Sequence, residues 1–211
     1  METIRAMFEK PLMGRRIWML VTAHIIMGAG VALLKYVTLG NDPFSAMMMV
    51  LTSKTPLSYG MFCMAGNCIF FVAEFLWGKK YIGLGTLVNW FLLGYIVMFW
   101  YGILGGVHLP PQSMMIRIPL CVLAVVVIAF SLSLYQSADV GIAPFDCLAL
   151  ILNEKLHLPF AVCRVLVDGS ALLICWLAGG LLGLGTVLVM VGLGPVAAFF
   201  NQRFSEKLLE I

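Results

Sequence analysis

The sequence predicts an all-α, polytopic membrane protein, and three observations support this fold class. Hydrophobic residues make up 62% of the 211-residue chain, charged residues only 11%, and the mean hydropathy is +1.03. Several apolar runs are close to twenty residues long, the length at which a helix crosses about 30 Å of hydrocarbon. A short motif also occurs twice with matching surroundings, which predicts two related halves.

Six transmembrane spans follow from these apolar runs. They cover residues 17–37, 58–77, 82–104, 116–136, 159–178 and 181–200. The segment 1–16 is basic and amphipathic, and the segment 201–211 has the pattern of a short surface helix. With both termini in the cytoplasm, most lysines and arginines fall on the inner side, as the positive-inside rule requires. We therefore expect residence in a bacterial cytoplasmic (inner) membrane.

The repeated motif lies at residues 40–45 and 141–146, where a glycine precedes Pro-Phe by three residues. Each copy leads into a short apolar helix, predicted at 43–53 and 144–153. Eleven residues of helix cover only about 16 Å, too little to cross a bilayer. We therefore expect two re-entrant or half helices. At membrane depth such segments are tolerated only where they are buried in protein or line a cavity, so they indicate a binding site.

The similarity between the halves extends beyond this motif. At an offset of 101 residues Asn67 corresponds to Asp168, and at an offset of 100 a Gly-x-Gly-Thr turn recurs. We therefore assign repeat 1 to 17–104, a linker to 105–115 and repeat 2 to 116–200. The glycines of the turns are expected to allow close helix packing, and they are Gly83, Gly85, Gly183 and Gly185.

The orientation of the repeats depends on the number of spans. Three spans in each half make the repeats inverted. In an eight-span alternative the short helices cross the membrane and the repeats are parallel, and the distribution of charges agrees with this alternative almost as well. The length of the short segments favours six spans and inverted repeats.

The starts of the short helices are candidate binding positions. Pro43 and Pro144 suit the first helical position, because a missing N–H group costs nothing there. Ser45 and Asp146 then lie in the first turn, beside free N–H groups that attract anions. The alternative is a self-capped helix without a ligand: Asp42 could cap the first helix, and Asp146 could fill this role in the second.

Arg164 and Asp168 are the charges that the fifth span places in the hydrocarbon. Four residues apart, they share one helix face and can pair, and charges at this depth are functional candidates because they are costly. Arg164 could bind a carboxylate or phosphate, while Asp168 holds the guanidinium group or carries a proton. Asn67 would supply hydrogen bonds without charge. The alternative is a structural pair that braces the two halves.

Other polar residues of the spans have simpler explanations. His24 is expected to be an interior histidine, whereas Lys35 and Glu74 lie near span ends and could extend to the interface. The three histidines have no metal-ligand spacing, and no hydrolase or phosphate-loop motif is present. We therefore expect no enzymatic activity, metal or cofactor. A net charge of +3, carried mostly at span ends, gives no reason to expect nucleic-acid binding.

The order of these motifs resembles the YczE/YyaS/YitT group of bacterial integral membrane proteins, and the YczE-like branch most closely. The resemblance rests on both Gly-x-x-Pro-Phe motifs, on Arg164 and Asp168, on the second Gly-x-Gly-Thr turn and on Gly194-Pro195, and it covers nearly the whole chain. The first half departs from the pattern, with Asn67 opposite Asp168 and Tyr95 opposite Pro195. The resemblance implies a bacterial cytoplasmic membrane protein and supplies no activity.

The leading functional hypothesis is a transporter or solute-binding membrane protein that holds an anionic or zwitterionic metabolite between its repeats. Its expected partners are membrane lipid, the solute and a second copy in a homodimer, because 23.2 kDa is small for alternating access. One alternative is a substrate-capture subunit energised by an ATPase module. Another is a scaffold that assembles a membrane complex and binds no solute.

Overall fold

The computed structural model describes residues 11–57, 59–107, 113–180 and 182–208. This part of the chain is helical and contains no strand. Its nine α-helices are α1 (Met13–Val37), α2 (Pro43–Thr52), α3 (Tyr59–Trp77), α4 (Leu84–Phe91), α5 (Leu93–Val107), α6 (Met114–Ala138), α7 (Pro144–Leu156), α8 (Phe160–Leu177) and α9 (Leu184–Phe200).

Four helices within the described ranges are long and apolar enough to cross a membrane. They are Met13–Val37, Met114–Ala138, Phe160–Leu177 and Leu184–Ser205. The bent pair α4 and α5 gives a fifth if it forms one span, and Met61–Trp77 is apolar but shorter. The prediction of an all-α, multi-pass membrane protein is therefore confirmed with four or five candidate spans, and the expected number of six stays a prediction.

Several boundaries differ from the predicted ones. The expected span 82–104 is broken between α4 and α5, whose axes differ by 45°. The helix α1 begins at Met13, inside the predicted basic segment 1–16, and α5 and α6 extend into the predicted linker 105–115. Residues 1–10 and 108–112 lie outside the described residues.

The expected surface helix at 201–211 is instead a continuation of α9. A π-helical turn, Asn201–Ser205, follows α9 directly and contacts α6. Ser205 is buried and its hydroxyl lies 2.7 Å from that of Ser133, while Ser137 donates to Asn201 at 2.5 Å. These polar contacts to α6 hold Asn201 and Ser205 against the protein, whereas Gln202, Arg203 and Phe204 are exposed.

The helices α1 and α6 form the centre of the fold, and they run antiparallel. Arg16, near the start of α1, donates to the carbonyl oxygen of Ala138 at 2.8 Å, at the end of α6. Arg117, near the start of α6, donates to the carbonyl oxygens of Val37 and Thr38 at 2.9 and 2.7 Å, at the end of α1. Each arginine thus satisfies carbonyl groups that the other helix leaves unpaired at its C-terminus.

A hydrophobic core surrounds this helix pair. Most of its members are aliphatic or small, so the two helices approach each other closely. Fully buried examples are Met19, Ala23, Leu34, Ala124, Ala129 and Leu132. The helix α5 packs on α1, and α9 packs on α6.

The Gly-x-Gly-Thr turns contact the loops that precede the short helices, and each contact joins different halves of the chain. Gly85 donates to the carbonyl oxygen of Val140 at 2.9 Å, and Gly185 donates to that of Leu39 at 2.9 Å. Gly141 has a φ of +117°, a conformation that favours glycine. The short helices exchange partners in the same way, since α2 packs on α8 and α7 packs on α3.

We expect Gly85→Ala to destabilise the protein by about 1–3 kcal/mol, because overpacked sites must shift their surroundings. A Cβ atom at Gly85 would lie 2.0 Å from the carbonyl oxygen of Gly141, which is backbone and cannot move aside cheaply. The matched control is Gly102→Ala in α5, where no atom lies within 4 Å of the added Cβ. Thermal unfolding in detergent measures both variants, and equal melting temperatures would contradict the prediction.

Candidate functional site

A cavity of about 660 Å³ lies between the two halves, a size suited to a small metabolite. Of the eight predicted site residues, five line it, and they are Asp42, Ser45, Asn67, Asp146 and Arg164. Pro43 and Pro144 begin α2 and α7 and do not line the cavity. Asp168 lies behind Arg164 and is fully buried.

The N-terminus of α2 is capped by a side chain. Asp42 Oδ1 accepts a hydrogen bond from the backbone N–H of Ser45 at 2.9 Å, and Pro43 occupies the first turn. The prediction that Asp42 could cap this helix is therefore confirmed. A capping carboxylate beside the cavity leaves fewer donors free for an anionic ligand than an open helix end would.

The N-terminus of α7 differs, because Asp146 does not cap it. Its N-cap residue is Ala143, which makes no side-chain cap. Asp146 accepts instead from Arg164 Nη1 and from the Tyr135 hydroxyl, each at 2.5 Å. The alternative in which Asp146 satisfies its own helix end is thus wrong. A guanidinium group and a hydroxyl group outside the helix are available to it, and charge-assisted hydrogen bonds are the stronger ones.

Arg164 joins two carboxylates into a buried triad. Its Nε donates to Asp168 Oδ2 at 2.9 Å, which confirms the predicted pair, and its Nη1 donates to Asp146. The side chains of Arg164, Asp168 and Asp146 are 6%, 0% and 14% exposed. The guanidinium group also lies over the Phe145 ring, 5.7 Å from its centroid.

The charges at the cavity do not balance. The triad has one cation and two carboxylates, and the cavity adds the cation Lys35 and the carboxylate Asp42. Two cations against three carboxylates leave a formal charge of −1. Buried charge is stable only when it is compensated, so the site attracts a positive group. This balance is less favourable to a purely anionic ligand than to a zwitterionic one.

Tyr135 of α6 is a part of the site that sequence analysis missed. Its side chain is fully buried, its hydroxyl binds Asp146, and its ring lies 5.3 Å from the His24 ring. His24 is buried, and its Nδ1 is hydrogen-bonded to the carbonyl oxygen of Leu20 at 2.8 Å, while its Nε2 has no partner among the described residues. Nothing in the sequence distinguishes Tyr135 from a packing tyrosine, because its partner is set by the position of α7.

Aromatic side chains form one wall beside the triad. The rings of Phe44, Phe70 and Phe145 contact one another, with centroids 5.1 to 6.1 Å apart. Phe44 and Phe145 also line the cavity. Two of the three rings follow the prolines of the repeated motif directly, so this motif supplies both the helix starts and the apolar wall. Aromatic faces next to carboxylates suit an organic cation.

We expect Arg164→Ala to destabilise the protein by about 3–5 kcal/mol, because it leaves two carboxylates buried without a cation. Arg203→Ala is the matched control, since Arg203 is exposed and should contribute little. Thermal unfolding in detergent gives the comparison. The triple variant D146N/R164M/D168N should regain much of the loss. A triple variant no more stable than Arg164→Ala would contradict this explanation.

Known relatives cover most of the chain. The model of a family of unknown function, DUF6198, matches residues 14–202. An uncharacterised protein of Haemophilus influenzae is 28% identical over 188 residues, covering 88% of this chain and 83% of the relative. The uncharacterised membrane protein YczE of Bacillus subtilis is 26% identical over 176 residues, covering 83% and 80%. No solved structure matches significantly. The resemblance to YczE-like proteins is confirmed, and the chain belongs to DUF6198, a family of unknown function.

Proposed function

We propose that this protein binds a small zwitterionic solute between its two halves and transports it across a bacterial cytoplasmic membrane. The observation that carries the proposal is the triad at the cavity, which has one more carboxylate than cation. The ammonium group of the solute compensates this charge at Asp146. Of the triad's two carboxylates, Asp146 is the one that lines the cavity.

The carboxylate of the solute binds Arg164 and Ser45 in this proposal. A guanidinium group has five N–H donors, and the hydrogen bonds to Asp146 and Asp168 use one at Nη1 and the one at Nε. Ser45 lines the same cavity and has a hydroxyl donor. Asp168 holds Arg164 in place from the side away from the cavity. The apolar part of the solute packs on Phe44 and Phe145.

We further propose that the halves are inverted repeats with three spans each, so that α2 and α7 are re-entrant. The arginines that close the α1–α6 pair support this arrangement: Arg16 and Arg117 are 101 residues apart, and so are their acceptors Val37 and Ala138. Equivalent helices that run antiparallel are what an inverted repeat requires. Both termini are then cytoplasmic.

Contacts at the ends of the α7 segment support its re-entry. Tyr81, in the loop between α3 and α4, accepts from the backbone N–H of Ile142 at 2.8 Å, just before α7. Its hydroxyl donates to Glu154, near the end of α7. The same loop therefore contacts the segment where it begins and where it ends. These contacts support the proposal that the segment enters the membrane and returns to the side it came from.

Binding can be tested by thermal-shift measurements on the purified protein with three probes: glycine betaine, a choline-type cation and acetate. We expect the zwitterion to raise the melting temperature most. Asp146→Asn should weaken its binding about tenfold or more, because the ammonium group of the solute then has no carboxylate at this position. The control is Asp139→Asn, which makes the same change outside the cavity, at a side chain 54% exposed. Acetate as the strongest stabiliser would contradict the proposal.

Topology can be tested with two exposed lysines that correspond in the repeats, Lys54 and Lys155. In a variant without the six native cysteines, Lys54→Cys and Lys155→Cys are treated with a membrane-impermeant thiol reagent on intact cells. Inverted repeats place these positions on opposite sides of the membrane, so only Lys54→Cys should react. Equal labelling of both positions would exclude inverted, three-span repeats.

Transport itself requires a separate assay. The purified protein in liposomes should accumulate the zwitterion that stabilises it, and Asp146→Asn should not. Uptake only after addition of an ATPase module would favour the capture-subunit alternative instead.

A further inference from the structure

Glu74 of α3 is a second buried acid, and it lies outside the cavity. Its side chain is fully buried, which corrects the expectation that Glu74 extends to the membrane interface. Within the described part of the chain, neither carboxyl oxygen has a hydrogen-bond partner. By contrast Asp168, which is equally buried, is held by Arg164 at 2.9 Å. Glu74 therefore differs from Asp168, because no described residue forms an ion pair with it.

Glu74 is surrounded by residues of both halves, at the contact of the first Gly-x-Gly-Thr turn with the loop before α7. The Thr86 hydroxyl lies beside the carboxyl group, but it is engaged: it donates to the Tyr81 carbonyl oxygen at 3.3 Å and accepts from the Gly83 N–H at 3.1 Å. On α7 the titratable group that interacts with Glu74 is the Cys147 thiol, which is fully buried. Cys147 also packs against Gly78 at the end of α3.

The charged residues near this end of α3 have other contacts. Lys79 lies over the Phe75 ring and Lys155 over the Trp77 ring. Lys80 forms an ion pair with Glu154 at the surface, and its ammonium group lies over the Tyr81 ring. The helix α2, which also packs on α3, has no titratable residue in Pro43–Thr52. Among the described residues no cation therefore faces Glu74. An ionised carboxylate in such a place costs several kcal/mol, whereas a protonated one can donate to Thr86 Oγ1.

We propose that Glu74 is a proton-binding site, which carries its proton while the two halves are packed together and releases it when their contact opens to water. The proton is taken from water and returned to water, so no other reactant is needed. Release would leave a charge beneath the loop contacts at Gly85 and Ile142, and opening of these contacts hydrates it. The proposal does not depend on the solute site, because Glu74 does not line that cavity.

Labelling with dicyclohexylcarbodiimide tests this proposal, because this apolar reagent adds to protonated carboxyl groups. The full-length protein in detergent is treated at neutral pH, and the modified residues are identified by mass spectrometry. We expect an N-acylurea adduct on Glu74, at least about tenfold above any adduct on Asp168, which is equally buried but ion-paired. Sodium or potassium ions should not protect Glu74. Protection by either ion would overturn the proposal, because a metal cation would then occupy the site.

Infrared difference spectroscopy gives an independent measurement that needs no reagent to enter the protein. Wild type minus Glu74→Gln should contain the carbonyl band of a protonated carboxylic acid at neutral pH. The glutamine variant keeps the shape of the side chain and cannot ionise, so it should fold. A difference spectrum with only carboxylate bands would overturn the proposal, whatever the outcome of the labelling. Solute binding should persist in Glu74→Gln, which separates this proposal from the proposed solute site.

Discussion

The fold depends on the antiparallel contact between α1 and α6, which two arginines close at opposite ends. The last turn of a helix leaves carbonyl groups without a partner in the helix, so these groups need donors from elsewhere. Arg16 of α1 donates to the end of α6, and Arg117 of α6 donates to the end of α1. The helix ends are also where the chain turns into the loops before α2 and α7. The arginines therefore hold the helix ends from which both loops continue.

Close contact between the glycine turns and the loops before α2 and α7 then determines the position of the short helices. Because Gly85 and Gly185 lack side chains, the loops before α7 and α2 approach them within hydrogen-bond distance. The short helix α2 is thereby held against α8, and α7 is held against α3. The triad is a result of this exchange: Asp146 comes from α7, whereas Arg164 and Asp168 come from α8.

Local features of this architecture could be predicted from the sequence, and distant partners could not. The proline-led helices, the Asp42 cap and the Arg164–Asp168 pair involve residues at most four positions apart, where helix geometry decides. The bond from Arg164 to Asp146 joins residues 18 positions apart across a loop. The partner of Tyr135 likewise depends on tertiary packing. One long-range signal was present but unused, namely the two arginines separated by the repeat offset of 101.

The break between α4 and α5 has a consequence for how the cavity walls can move. Residues on both sides of it, including Trp90 and Leu93, line the cavity. The corresponding helix of the second half, α9, continues without interruption from Leu184 through Phe200, although it contains Pro195. One wall of the cavity is therefore formed by a broken helix, and the opposite wall by a continuous helix. The two halves have the same order of elements and yet differ in stiffness. Rearrangement of the cavity should therefore begin at the break between α4 and α5.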